Sequence, residues 1–131
     1  MRVASLLLFV ALLGACAPEQ ATGGDRVIEI RIEHSAFEPD RLEVEAGETV
    51  TFVIDNGDPI DHEFILGDEE IQRIHEEGTE KHHGARPGEI SIPAGATRET
   101  TYTFEEPGEL IYGCHVFGHY DYGMRGAVEV R

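Results

Sequence analysis

A chain of 131 residues is long enough for one domain around a single core and too short for two. It carries 26 acidic against 10 basic residues, a formal charge of −16 with histidine neutral. That balance lacks the basic footprint that phosphate backbones demand, so it argues against nucleic acid as a partner; an acidic surface suits basic proteins and metal cations, or simply solubility.

Residues 1–15 stand apart from the rest. Arg2 gives a positive start, and Val3 to Leu13 is an apolar run too short to span a bilayer as a mature helix. Leu13-Gly14-Ala15-Cys16 follows and resembles a bacterial lipobox. The resemblance implies a lipoprotein signal peptide over 1–15, cleavage before Cys16 and lipidation of that residue. Export to the periplasm or cell surface would follow, with membrane attachment through the lipid. The plainer alternative is an ordinary signal peptide with an incidental cysteine. Residues 16–25 read as a lipidated N terminus and flexible tether, with a proline, a glycine pair and no apolar periodicity. The folded domain is expected over 26–131.

From Arg26 onward the hydrophobic period is two. Ile28, Ile30 and Ile32 alternate with Glu29 and Arg31, and Leu42 and Val44 with Glu43 and Glu45. Val50, Phe52 and Ile54 continue the pattern, then Ile90 and Ile92, Tyr102 and Phe104, Leu110, Tyr112 and Cys114, and finally Val128 and Val130. Turn signals separate these runs: Glu38-Pro39-Asp40, Ala46-Gly47, Asn56-Gly57-Asp58-Pro59, Pro93-Ala94-Gly95 and Pro107-Gly108. Seven or eight short strands in about a hundred residues predict an all-β, antiparallel Greek-key sandwich. Gly67 to Gly88 breaks the pattern. There Asp68 caps a short predicted helix, Glu69 and Glu70 suit its first turn, Ile71, Ile74 and His75 share a face, and Gly78 stops it. Thr79 to Gly88 reads as loop.

Only two cysteines are present, Cys16 and Cys114. If Cys16 carries lipid, Cys114 is a lone thiol in an oxidising compartment, and metal ligation would explain its presence. It opens the segment Cys114-x4-His119-x4-Met124. One thiolate, one imidazole and one thioether on a short loop match three parts of a blue-copper ligand set, trigonal Cys and two His with a weak axial Met. The second histidine must come from elsewhere, and His62, at the start of an apolar run after the Asn56–Asp61 turn, is the candidate. The plainer alternatives are a buried small hydrophobe for Cys114, a core filler for Met124 and turn residues for the histidines.

With these residues in view, nearly all of 26–131 resembles the cupredoxin family of type 1 copper proteins. The similarity runs through Phe37-Glu38-Pro39, Leu42-Glu43-Val44, Ala46-Gly47, Val50-Thr51-Phe52 and Asn56. It implies a cupredoxin-like sandwich holding one copper through His62, Cys114, His119 and Met124. The loop spacing resembles azurin and rusticyanin more than plastocyanin. The His62-Glu63-Phe64 start and the histidine-bearing insertion resemble a bacterial subgroup often associated with copper handling. Two departures stand out. Glu63 sits where the family usually has Asn, Ser or Thr after the first ligand, and an ionised carboxylate near the metal would favour Cu(II). His115 follows Cys114 as in multicopper oxidases, but Gly113 replaces the histidine those enzymes place before it, and no His-x-His pair exists. His115 is therefore expected to be a turn or surface residue.

A weaker candidate lies in the insertion. His75, His82 and His83 fall within nine residues among Glu76, Glu77 and Glu80, a candidate weak second site for Cu(II) or Zn(II) or else a solvated polar loop. Phe117, Tyr120 and Tyr122 crowd the ligand loop, either shielding the metal or forming a docking rim around His119. The expected function is one-electron transfer with a redox partner such as a cytochrome or oxidase. The alternative is copper resistance, sequestration or delivery with a copper-handling partner. No nucleophile or acid–base pair suggests an enzyme.

Overall fold

A computed structural model describes residues 26–78, 82–84 and 86–131. The expected signal peptide and tether, with Cys16, lie outside the described residues. In chain order the elements are β1 (Arg26–Glu33), β2 (Ala36–Glu38), β3 (Arg41–Val44), β4 (Thr49–Asn56), β5 (His62–Gly67), α1 (Glu69–Glu76), β6 (Glu89–Ile92), β7 (Thr97–Thr103), β8 (Gly108–Gly113) and β9 (Arg125–Val130).

The strands form two sheets, ordered β2-β1-β4-β7 and β3-β9-β8-β5-β6. The sandwich is the expected one, but its sheets are mixed rather than wholly antiparallel. β1 runs parallel to β4, and β3 parallel to β9. Alternation reveals which residues point inward and carries no information about strand direction, which long-range pairing decides.

The alternating apolar residues are the core. Ile30, Ile32, Val50, Phe52, Ile54, Phe64, Tyr112 and Val128 are all buried between the sheets. Tyr112 sits at the centre. Its ring stacks on Phe64 at 5.4 Å and meets Phe37 edge-on at 5.4 Å, and its hydroxyl donates to the Pro39 carbonyl at 2.6 Å. It lies directly over Gly126 on β9, where an added Cβ would come within 2.2 Å of the ring.

β5 is buried on both faces because α1 covers its outer side. The helix begins as expected, with the Asp68 carboxylate accepting the Ile71 N–H at 2.9 Å. It ends at Gly78 (φ +93°), which donates to the His75 carbonyl at 3.0 Å. The buried face differs from the expected one: Gln72 and His75 face inward, while Ile74 is 38% exposed. The reason is polar. Gln72 Nε2 donates to the carbonyls of Ile65 (3.0 Å) and Ile111 (2.9 Å), so the amide pins α1 across β5 and β8 where an isoleucine would leave both carbonyls unmet.

Candidate metal centre

Strand parity places the donors. On β5, His62, Phe64 and Leu66 point into the sandwich while Glu63 and Ile65 point out beneath α1. Cys114 follows β8 in phase with Tyr112 and also points in. The 114–124 loop then folds back on itself. His119 N–H donates to Val116 at 2.9 Å, Met124 N–H to the His119 carbonyl at 2.9 Å, and Cys114 N–H to the Met124 carbonyl at 3.1 Å. Gly118 (φ +81°) and Gly123 (φ +99°) supply left-handed turns that a side chain would strain. The backbone hydrogen bond between Cys114 and Met124 therefore brings the first and last donors of the loop together at one end of the sandwich core.

Three of the four expected ligands converge. Cys114 Sγ lies 3.4 Å from His119 Nδ1 and 3.8 Å from His62 Nδ1, and the two imidazole rings are 5.0 Å apart. Their ligand atoms all fall within 4.8 Å of one another. Met124 is buried in the same core cluster at 2% exposure. Cys114 and His62 are equally enclosed, so His119, only partly buried, is the one of the four with access to solvent.

Hydrogen bonds hold two of these donors. His62 Nε2 meets Asp58 Oδ2 at 2.9 Å, leaving Nδ1 to face the sulfur. The same carboxylate accepts the N–H groups of His34 (2.7 Å) and Ser35 (2.8 Å), two residues at positive φ in the turn after β1. Burial opposes the Asp58 charge, but the Ser35 and His34 N–H groups and the His62 ring outweigh it and hold the carboxyl below its ordinary range. Asn56 fixes the same turn, its amide donating to the carbonyls of Ile60, Ile92 and Pro93. Cys114 Sγ accepts the Glu63 N–H at 3.3 Å.

The electrostatics suit a cation. Burial pushes the Cys114 thiol up to about 11, against the pull of the Glu63 and Val116 N–H groups. Ionising the thiol near neutral pH is therefore unfavourable in this buried pocket, and a bound metal would offset that cost. Burial, then the adjacent His62 ring, lowers His119 and keeps its imidazole in the neutral, ligating form. A thiolate, two imidazoles and a nearby thioether in a dry pocket fit copper, and His62, Cys114, His119 and Met124 are the residues that would hold it.

Several expectations change. His115 is buried rather than a surface residue: its side chain is 2% exposed, and its ring nitrogens meet Glu76 (2.7 Å) and Gln72 (2.8 Å). With both nitrogens engaged it is a packing residue under α1. Gly113 cannot carry the histidine of a multicopper oxidase, because a Cβ there would lie 2.7 Å from the Tyr120 ring and 2.8 Å from Gln72 Oε1. Phe117 and Tyr122 are almost fully exposed and shield nothing, whereas Tyr120 stacks on His115 at 4.7 Å. Of the insertion histidines, His75 and His83 come together and His82 stays on the surface. Their companion is Glu89, at the start of β6. The His83 segment is also better anchored than its composition predicts: its N–H donates to Ser91 Oγ at 2.8 Å, and its carbonyl accepts the Ser91 N–H at 3.1 Å.

Sequence reasoning missed Asp58, Gln72 and Glu89. The one available signal was Asp58 itself, a carboxylate four residues before a candidate ligand histidine, since such histidines habitually lean on a carboxylate.

Fold and donor set together define the class of single-domain, type 1 copper proteins. A family model described as a cupredoxin-like domain matches residues 5–124, and the chain belongs to that family. It is 34% identical to the copper-resistant cuproprotein CopI of Rubrivivax gelatinosus, over 87% of this chain and 72% of that one. It is 28% identical to the protein of the same name from Pseudomonas aeruginosa, over 98% and 95%. Among solved structures it resembles auracyanin A, a "blue" copper protein from Chloroflexus aurantiacus. That likeness has a TM-score of 0.63 at 29% identity and covers 82% of this chain and all of that one. Reduced auracyanin from Roseiflexus castenholzii matches in fold, with a TM-score of 0.68 at 23% identity over 83% and 99% of the two chains.

Proposed function

We propose that this chain is an exported, lipid-anchored cupredoxin that passes single electrons through a mononuclear type 1 copper held by His62, Cys114, His119 and Met124. The observation that carries the reading is preorganisation. Asp58 locks the His62 ring and the Glu63 N–H locks the Cys114 sulfur, so the donors stand in place before any metal arrives. Copper, when bound, supplies a one-electron couple. The chain's own part is to keep the donors still and water out, and to offer the partly exposed His119 ring as the contact for a redox partner such as a cytochrome or oxidase. No residue is assigned a catalytic role.

A second reading, copper resistance through sequestration or delivery, is favoured by the names of the two relatives, and its partner would be a copper-handling protein. One experiment separates them. Cu(II) added to the protein should produce an intense thiolate-to-copper visible band that Cys114→Ser abolishes. The reduced form should then give one electron per chain to an oxidised cytochrome without losing copper to a chelator. Copper that leaves readily while electron exchange stays slow moves the assignment to handling. A colourless wild type, or a coloured Ser variant, removes the type 1 centre altogether.

A further inference from the structure

On the outer face of the β3-β9-β8-β5-β6 sheet, beneath α1, three potential metal ligands from three elements converge. His75 comes from the last turn of α1, His83 from the segment before β6, and Glu89 from the first residue of β6. Their ligand atoms all lie within 4.8 Å of one another. His75 Nε2 and His83 Nδ1 each stand 3.6 Å from the same oxygen, Glu89 Oε2. That is too long for a hydrogen bond. It is close to the ligand-to-ligand spacing of about 3.3–3.4 Å that follows from tetrahedral geometry with metal–ligand bonds of about 2.0–2.1 Å.

The unpartnered atoms make the case. Both histidine side chains are 3% exposed, and His75 Nε2 and His83 Nδ1 are the buried side-chain polar atoms without a hydrogen-bond partner among the described residues. Buried polar atoms are rarely left so, because each costs about 1–3 kcal/mol. The His75 tautomer is set from the far side. His75 Nδ1 lies 2.8 Å from the Ile71 carbonyl, which only accepts, so Nδ1 carries the proton and Nε2 presents a lone pair to Glu89. His83 Nε2 lies 3.7 Å from Glu63 Oε1, beyond hydrogen-bonding distance, so its Nδ1 is likewise without a hydrogen-bond partner. The His75 Nε2 lone pair and the Glu89 carboxylate oxygen, with His83 Nδ1 at the same distance, leave a gap that a shared cation would close. The Arg86 guanidinium, 3.8 Å from Glu89 Oε2 and mostly exposed, supplies charge from the rim without reaching either imidazole nitrogen in hydrogen-bonding geometry.

We infer that His75, His83 and Glu89 form a second, buried metal site for a borderline divalent cation, Zn(II) or Cu(II), separate from the Cys114 centre. Two imidazoles and one carboxylate, with neither thiolate nor thioether, select this class over Cu(I). The site is built into the fold rather than onto a free loop. α1 is pinned by Gln72, His83 is tied to Ser91, and Glu89 lies in the ladder opposite Ile65. His82, on the surface, takes no part.

The test uses the full chain with its Cys114 centre already filled with Cu(II), so that the visible band reports an intact sandwich throughout. The copper-loaded protein is equilibrated with Zn(II), desalted and analysed for metal. One zinc per chain is expected in wild type and in His82→Ala, and a loss of at least tenfold in zinc affinity in His83→Ala and Glu89→Gln with the band unchanged. Zn(II) should also raise the unfolding temperature of wild type and leave that of His83→Ala where it was. Wild type that retains no zinc, or a His83→Ala protein that binds and is stabilised like wild type, overturns the site. Should Glu89→Gln lose the band through misfolding, the His83→Ala result decides, since that side chain is carried on a connecting segment. The colour itself is governed by Cys114, so failure of the zinc site and failure of the copper assignment are read from different signals.

Discussion

The backbone N–H of Glu63 donates to Sγ of Cys114 at 3.3 Å, while the carboxylate of the same residue turns to the opposite face of the sheet, 3.7 Å from His83 Nε2. Glu63 therefore does not stand beside the copper ligands as the sequence suggested. Its main service to the centre is a peptide dipole aimed at the sulfur, and its charge acts on Cys114 only as a lesser influence, raising the thiol. A residue type unusual at this position is tolerated because the contact that ties the two ligand segments comes from the backbone.

Asp58 should matter to metal affinity although it touches no metal. Asp58→Asn keeps the side chain's shape but removes the charge and one of the two acceptor oxygens that serve His34, Ser35 and His62. Copper affinity, measured by competition with a chelator, is expected to fall by about 10–100-fold, the usual effect of losing a ligand histidine's supporting carboxylate. Unchanged affinity would show that His62 is oriented by packing alone.

Metal-free protein should have an unreactive cysteine. With the Cys114 thiol pushed up to about 11, its thiolate population near neutral pH is lower than that of an ordinary cysteine. A two-unit rise corresponds to a decrease on the order of a hundredfold. The raised value favours the protonated form, so alkylation by iodoacetamide should be slow at pH 7, quicken as the pH approaches 11, and become fast on denaturation. Equal rates in folded and denatured protein at pH 7 would contradict the assigned burial.

Gly126→Ala is expected to be among the most damaging small substitutions in the chain. The new methyl would be driven against the Tyr112 ring, which is itself boxed in by Phe37 and Phe64. A loss of about 1–3 kcal/mol, or more if the ring cannot shift, should appear in denaturant unfolding. Tyr112→Phe, which removes only the hydroxyl's bond to the Pro39 carbonyl, should cost about 1 kcal/mol. The reverse ranking would place the crowding elsewhere.

Cys16 is testable without any structure. Cys16→Ser should move the protein from the membrane fraction to the soluble fraction, and mass spectrometry of wild type should find acyl chains at that residue. Stable attachment needs more than one acyl chain, so a singly acylated protein should wash off. Wild type recovered wholly soluble with an unmodified Cys16 would end the lipoprotein reading.

The sandwich was legible because its inward residues alternate without interruption, from Ile28–Ile32 through Val50–Ile54 to Val128–Val130. The donor set was legible because Cys114, His119 and Met124 are close in the chain and chemically distinctive. What escaped were groups whose roles exist only across the fold. Nothing near Glu89 marks it as the partner of a helix histidine more than ten residues earlier. Nothing near Gln72 announces two strand carbonyls waiting for a donor. Ile74 followed the helical period correctly and still points outward, because satisfying those carbonyls took precedence over burying one more aliphatic chain.

The pleat of β5 and β8 has one more consequence. Even-numbered residues on this pair, His62 and then Cys114 just beyond β8, look inward to the copper donors. Their odd-numbered neighbours, Glu63 and His115, look outward to the histidines beneath α1. The sheet is thus a wall with a different room on each side: the two ribbons carry copper donors into the inner room, and into the outer one only Glu63 and His115, which flank a cluster whose own members come from α1, β6 and the segment before it. Substitutions can alter one room and leave the other standing. A single inserted or deleted residue in either ribbon reverses the parity, turning a copper donor outward and a residue that packs against α1 inward at once.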